Sequence, residues 1–241
     1  MPSPLELSSR MKTIGIIGGS TNVATAEYYN ILNAAVKRRL GGFHTAKIMM
    51  NSMDLATSVH FVHGGLWDEG SEILRGMAES LERAGADFII CVSNTWNMHS
   101  TKWMRGIKIP LLHITEPLIA AIESKKVALL GTKATMISPY IPEVLARHGI
   151  ETIVPTEAEM DDIDRIIFQE LSYNNFLESS KAAYLKIVDR LCTKGAKGVI
   201  LGCTEIPLLI KQSDRPEVPF YDTLELHAEA AAALAVQGIE S

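Results

Sequence analysis

Cysteine is scarce in this chain: Cys91, Cys192 and Cys203 are the only three in 241 residues. Without a paired CxxC they build no disulfide framework, which excludes a stapled secreted scaffold and predicts a reducing cytoplasm, where a thiol is buried or catalytic rather than bridged. Basic blocks are missing and the formal net charge is -5, so neither nucleic acid nor an anionic membrane surface is expected as a partner. No apolar run reaches the ~20 residues that a bilayer-spanning helix needs. The opening MPSPLELSSR lacks the charged start and apolar heart of a signal peptide, and residues 1–10 read as a disordered leader. A full G-x-G-x-x-G and the Walker lysine pattern are also absent, which argues against a dinucleotide. His60 and His63 in HFVHGG have no further ligand at zinc spacing, so no metal is expected.

What is present is ordinary globular material: 47% hydrophobic and 21% charged residues. Four short apolar runs, TIGIIGGS, FIICVSNT, VALLGTKAT and GVILGCTE, end in glycine or small polar residues and show no polar alternation. Such runs belong to strands buried on both faces of a parallel sheet. Helical patterns lie between them, among them TAEYYNILNAAVKRRL and EGSEILRGMAESLERAG, the second closing on Gly85 as a C-cap. Alternation of this kind predicts βαβ units and an α/β fold.

The chain also repeats itself. AGADFIICVSNT at 84–95 aligns without a gap on KGAKGVILGCTE at 194–205, and KTIGIIGG at 12–19 echoes KKVALLGT at 125–132. Preserved order points to two pseudo-symmetric lobes, each a mostly parallel sheet flanked by helices. The expected lobes are 11–113 together with 214–241, whose closing helix returns to the first lobe, and 114–213. Ligands of open parallel sheets bind beyond the carboxyl ends of the strands. Two such lobes would aim both loop sets at one cleft, with Ser93 and Cys203 on opposite sides.

Cys203 is the sharpest chemical candidate. It follows a buried run and precedes TEIPLL, which could start a helix whose positive end would stabilise a thiolate. A thiol ionises closer to neutrality than any hydroxyl and can serve as base or nucleophile. The competing reading is a small buried residue, which most free cysteines are; Cys91 and Cys192 are read that way. Ser93 lacks a legible base, so hydrogen bonding suits it better, with Asn94 and Thr95 alongside to hold a carboxylate. Its competing role is the N-cap of its own helix. The glycine turn around Gly19 and Ser20 in IGGSTNVAT, feeding a helix, suits a small anion such as an α-carboxylate.

On these residues the chain resembles the aspartate/glutamate racemase family. The resemblance rests on GVILGCTEIPLLI and LLGTKATM, with IGIIGG, TAEYY, NSMD, AGADFII, NT, MH and YDTLELHA in family order, and it covers nearly everything from Met11 onward. It implies two α/β lobes, often as dimers, acting without pyridoxal cofactor or metal on a small amino acid or carboxylic acid. In that family two cysteines flank the α-carbon, one removing the proton and the other returning it. Cys203 takes the second cysteine's place. Asn94 and Thr95 take the Asn-Thr, while Thr132, Thr135 and Thr204 take the threonine contacts; Ser52 in NSMD and Glu205 in GCTE complete the substrate-binding set. Ser93 falls where many members carry Cys and some Thr.

Two further departures stand out. Trp96 and Asn97 interrupt the run from Asn-Thr to Met-His, an insertion beside the expected cleft. Asn175 stands where a lysine is often found, and no arginine follows NSMDL to grip a distal carboxylate. A buried carboxylate needs a partner, so a substrate other than a dicarboxylic acid is open. Three functions remain in play: an amino-acid racemase with Cys203 as main acid/base and Ser93 opposite; a single-cysteine, cofactor-free decarboxylase or related lyase; and a degenerate protein that binds a small acid.

Overall fold

The computed structural model describes residues 4–239. Its contacts divide the chain into two units, one running to Ile114 and resuming at Leu224, the other spanning Thr115–Thr223. The first unit contains α1 (Pro4–Arg10), β1 (Ile14–Gly18), α2 (Asn22–Leu40), β2 (Ile48–Ser52), α3 (Leu55–Gly64), α4 (Trp67–Ala84), β3 (Phe88–Cys91) and the short helices α5 (Asn94–Asn97) and α6 (Ser100–Trp103). Its strands run parallel in the order β2-β1-β3, and Leu111 extends the β3 side through a parallel bridge to Ile89.

The absence of polar alternation in these strands has its cause in the packing. Ile14, Ile16, Phe88 and Ile90 pack with Tyr28, Leu32 and Val36 of α2. Ile17, Ile89 and Cys91 pack with Leu74, Ala78 and Leu81 of α4. Alternate residues therefore serve opposite layers, and both layers are apolar. Thr21 caps α2 by accepting from the Ala24 amide at 3.1 Å. Helix α4 closes on Gly85, whose φ of 93° lies in the left-handed region that the sequence assigned to a C-cap.

The second unit contains α7 (Thr115–Ala121), β4 (Lys126–Leu130), α8 (Lys133–Ile137), α9 (Tyr140–Ala146), β5 (Glu151–Ile153), α10 (Glu157–Gln169), α11 (Glu178–Thr193), β6 (Val199–Leu201), α12 (Ile206–Leu209) and β7 (Phe220–Asp222). Its strands are again all parallel, in the order β5-β4-β6-β7. The topology repeats that of the first unit: β4 takes the central place of β1, with β5 and β6 where β2 and β3 lie. Ala128, Leu130, Val199 and Leu201 form one core with Ile163, Ile166 and Ile167 of α10 and Tyr184, Val188 and Leu191 of α11.

The last helix, α13 (Thr223–Val236), belongs from Leu224 on to the first unit. Its Leu224, Ala228, Ala231, Ala232, Ala235 and Val236 join the β1–α2 core. The small alanines let a whole helix face lie against that layer. Residues 4–10 correct an expectation: the segment read as disordered leader is helix α1. Leu7 packs on the first unit's core, and the Arg10 guanidinium donates to the Gly238 carbonyl at 2.7 Å. Residues 1–3 of that leader lie outside the described residues. Among the described residues, no helix is long and apolar enough to cross a membrane.

Candidate active site

In the first unit, the site residues read from the sequence lie at the carboxyl ends of three adjacent parallel strands. Gly19 follows β1, Ser52 ends β2, and Ser93 lies just beyond β3. Gly19 has φ +91°, and a Cβ there would stand 2.0 Å from the Met53 carbonyl oxygen, so only glycine fits. Its N–H donates to Thr25 Oγ1 at 3.0 Å. That N–H is therefore committed inside the turn rather than offered to an anion, and Ser20, half-buried, is the turn's remaining polar side chain from the predicted set. Ser52 is exposed.

Ser93 is the N-cap of α5: its Oγ accepts from the Trp96 amide at 3.2 Å. The accepted bond leaves the serine's own O–H able to donate. Asn94 and Thr95, the first two residues of α5, are buried at 5% and 7% exposure. Cys91 is interior, and burial pushes its thiol far up from the ordinary range.

Trp96 and Asn97 turn inward. The Trp96 ring is 1% exposed and donates through Nε1 to Ser58 Oγ at 3.0 Å. It occupies a slot over Gly70 of α4, where a Cβ would stand 2.2 Å from the ring. Trp103 Nε1 donates to the Trp96 carbonyl at 2.9 Å. Trp96 is thus core material of the first unit. Asn97 is fully buried, and its Nδ2 donates to the carbonyls of Cys91 at 2.9 Å and Ser93 at 2.7 Å.

In the second unit, the site residues lie at the carboxyl ends of the adjacent strands β4 and β6. Thr132 caps α8, accepting from the Thr135 amide at 3.2 Å, and the two threonine hydroxyls meet at 3.0 Å. Gly202 donates to the Leu130 carbonyl at 2.6 Å; a Cβ would stand 2.7 Å from that oxygen. The glycine thereby keeps the Cys203 turn close against β4. Cys203, 8% exposed, donates from Sγ to Glu205 Oε2 at 3.0 Å, and Thr204 Oγ1 donates to the same oxygen at 3.0 Å.

This geometry overturns one expectation. Helix α12 is a single turn of four residues, too short to build the dipole that would hold a thiolate. Burial pushes the Cys203 thiol well up, and the Glu205 carboxylate beside it pushes in the same direction. The resting sulfur is protonated, and its proton points at a carboxylate.

Asp164 of α10 was not legible as part of the site. Its carboxylate accepts from the Lys133 amide at 2.7 Å, and its charge adds to the forces that keep the Cys203 proton in place. The sequence carries no signal for it, since MDDIDRI reads as an ordinary amphipathic helix. Lys133, the cation next to Thr132, is paired with Asp161 at 2.5 Å. Asn175, in the turn after α10, is exposed and donates its amide to the Glu170 carbonyl at 3.1 Å. Among the described residues, no group of three or more His, Cys, Asp or Glu side chains gathers as metal ligands would.

Fold and site together define a duplicated parallel α/β scaffold that places one buried thiol, coupled to a carboxylate, and one capping hydroxyl at equivalent strand ends. The profile of the Asp/Glu/hydantoin racemase family matches residues 14–231, and the chain belongs to that family. A crystal structure from Yersinia pestis is 37% identical, covers 94% of this chain and 100% of that one, and superposes with a TM-score of 0.86. An aspartate racemase homologue from Pyrococcus horikoshii is 33% identical over 94% of this chain and 100% of its own, with a TM-score of 0.81. The broad-specificity amino-acid racemase RacX of Bacillus subtilis is 25% identical over 158 residues, 65% of this chain and 68% of RacX. Family membership supports amino-acid racemase chemistry in general.

Proposed function

We propose that the protein is a cofactor-independent amino-acid racemase in which Cys203 serves one face of the substrate α-carbon and Ser93 the other. The observation that carries this reading is the 3.0 Å contact from Cys203 Sγ to Glu205 Oε2. A protonated thiol cannot abstract a proton. A thiol whose proton can pass to an adjacent carboxylate can, because the pair holds one proton between two sites, as activated nucleophiles do. In the forward step Glu205 takes the Cys203 proton, and the thiolate removes the substrate's α-hydrogen. In the reverse step the same thiol returns a proton directly. Ser93 acts as the slower, water-assisted donor on the opposite face, its hydroxyl giving a proton to the carbanion and taking one back from water. Ser20, Asn94, Thr95, Thr132 and Thr204 are assigned to the substrate's carboxylate and amino group, while Gly19 supplies the turn.

Three free thiols without disulfides fit a reducing compartment such as the cytoplasm, and a homodimer is proposed on family resemblance alone. The substrate is an α-amino acid whose side chain need not be acidic. Glu205 and Asp164 surround the thiol with negative charge, and Lys133 is committed to Asp161. A second carboxylate near Cys203 would therefore be repelled.

The test is incorporation of solvent deuterium at the α-carbon, read by NMR beside chiral chromatography. The reading expects deuterium to enter faster than the enantiomer inverts, and both processes to vanish in Cys203→Ala. The engagement of Ser93 as a helix cap favours a second reading, one-face protonation after loss of carbon dioxide from a disubstituted malonate. Gas release from a malonate panel, without α-proton exchange on any amino acid, would select it.

A further inference from the structure

We propose that Asn97 is a positioning residue for Ser93, tying the Ser93 turn to the place where the chain leaves the first unit. The proposal rests on the reading of Ser93 as the acid of the second face.

Asn97 has no solvent contact, and its side chain is spent on three backbone groups. The two contacts of Nδ2 go to the carbonyl of Ser93 itself and to that of Cys91, two residues earlier at the end of β3. Oδ1 accepts from the Ile114 amide at 3.4 Å. These partners also fix which way the amide faces, since two carbonyls need a donor and an N–H needs an acceptor. The Asn97 main chain adds two links. Its N–H donates to the Ser93 carbonyl at 3.1 Å. Its carbonyl lies 3.0 Å from His113 Nε2, which must carry the proton because a carbonyl only accepts. Ile114 is the last residue of the first unit before Thr115 begins the second.

Ser93 is therefore held at two points. Its hydroxyl is aimed by the Trp96 amide, and its peptide is aimed by Asn97. Remove the amide of Asn97 and the Ser93 carbonyl keeps only the backbone N–H of residue 97, while the Cys91 carbonyl at the end of β3 loses this donor. The hydroxyl then swings with its peptide, and displacement of an acid by about an ångström is enough to cost a large rate factor. Cys203 lies in the turn after β6 of the other unit, and the hydrogen bonds of the Asn97 side chain go to the backbone of residues 91, 93 and 114.

The experiment compares wild type with Asn97→Asp, Asn97→Ser and Asn97→Ala on the best amino-acid substrate. Two rates are read on each sample: α-deuterium entry and inversion. A positioning role predicts that inversion falls about tenfold or more while deuterium entry through Cys203 changes less than about twofold. Their ratio is independent of the fraction of molecules folded, which separates positioning from mere loss of structure. If both rates fall together and the ratio stays at the wild-type value, the proposal is wrong. Amide hydrogen exchange on the wild-type protein gives an answer that needs no substrate. The Ile114 amide should be protected to the same degree as those of Trp96 and Asn97, and an Ile114 amide exchanging at the free-peptide rate would overturn the tie. Should wild type neither exchange nor invert any amino acid, the racemase reading fails, while the amide measurement still judges the link.

Discussion

At the scale of single residues, the proposed chemistry rests on Cys203 and Glu205. With one proton between sulfur and carboxylate, each partner determines what the other can do. Glu205→Gln leaves the thiol no acceptor for its proton. We expect kcat to fall about 100-fold, the scale of a lost general base, with KM changed less than about twofold; steady-state kinetics in both directions checks this. A variant with wild-type kcat would show that the carboxylate is not a relay. Because burial and Glu205 both push the thiol up, the thiolate is the minor form at neutral pH. Transfer within the Cys203–Glu205 pair releases no proton to solvent, so deuterium exchange should stay nearly level as pH is raised just above neutrality, and a rate that climbs in proportion to hydroxide would mean that the thiol ionises to solvent instead of to Glu205. Ser93→Cys would place a stronger acid/base on the second face, and the inversion rate should approach the exchange rate. An unchanged gap between the two rates would count against the assignment of Ser93.

Secondary-structure elements carry two further predictions. Gly70 lies in the interior of α4, where glycine to alanine on an open face would stabilise by about 1 kcal/mol. Here the new methyl would meet the Trp96 ring at 2.2 Å. Gly70→Ala should instead destabilise by about 1–3 kcal/mol, seen as a lower urea midpoint; a higher midpoint would mean that the ring sits elsewhere. Helix α13 is pinned to the first unit by His227. Its Nε2 lies 2.9 Å from the Leu112 carbonyl and must be the protonated nitrogen, so Nδ1 accepts from the Tyr28 hydroxyl at 2.9 Å. Burial lowers its pKa from 6.5 to about 4. The unfolded chain takes up this proton near 6.5 and the folded one only near 4, so the contribution is whole above about 6.5 and is lost as pH falls toward 4. Its size is about 3 kcal/mol. Unfolding free energies across that window should drop for wild type and drop less for His227→Gln; equal slopes would refute the assignment.

The same elements show what the sequence could and could not carry. The strands β1, β3, β4 and β6 were legible because both faces of each are buried, which produces unbroken apolar runs. Strands β2, β5 and β7 were not separately legible, since IMMNS, ETI and FYD are each only partly buried and so carry no unbroken apolar run. Helix α1 was missed because its hold on the core depends on one leucine and on a carbonyl near the far end of the chain. The inward packing of Trp96, expected only to lie beside the cleft, was not legible because its slot is made by Gly70, 26 positions earlier, and no local pattern records that. The Cys203 turn was found, but its protonation was misjudged. A following helix was expected to lower the thiol, whereas a four-residue helix and an adjacent carboxylate leave it raised.

At the scale of the whole molecule, duplication explains the arrangement of function. The two echoes in the sequence map onto equivalent strands: β1 with β4, and β3 with β6. In each sheet the second member of the pair borders the first. The same strand-and-turn plan thus occurs twice, and the proposed reaction, which moves a proton to and from opposite faces of one carbon, would have use for both turns. Here one turn carries a thiol and the other a hydroxyl, so under the proposed reading the two faces of the α-carbon are served unequally. The negative surroundings of Cys203 extend that inequality to substrate choice: amino acids with neutral side chains should show higher kcat/KM than aspartate or glutamate.

The most direct measurement follows the α-proton of a panel of amino acids of both hands in deuterium oxide, with wild type and Cys203→Ala run in parallel. The account predicts loss of the α-proton signal ahead of inversion in wild type and no loss in the variant. An α-carbon that keeps its proton with every substrate, or exchanges it equally well without the sulfur, would contradict it.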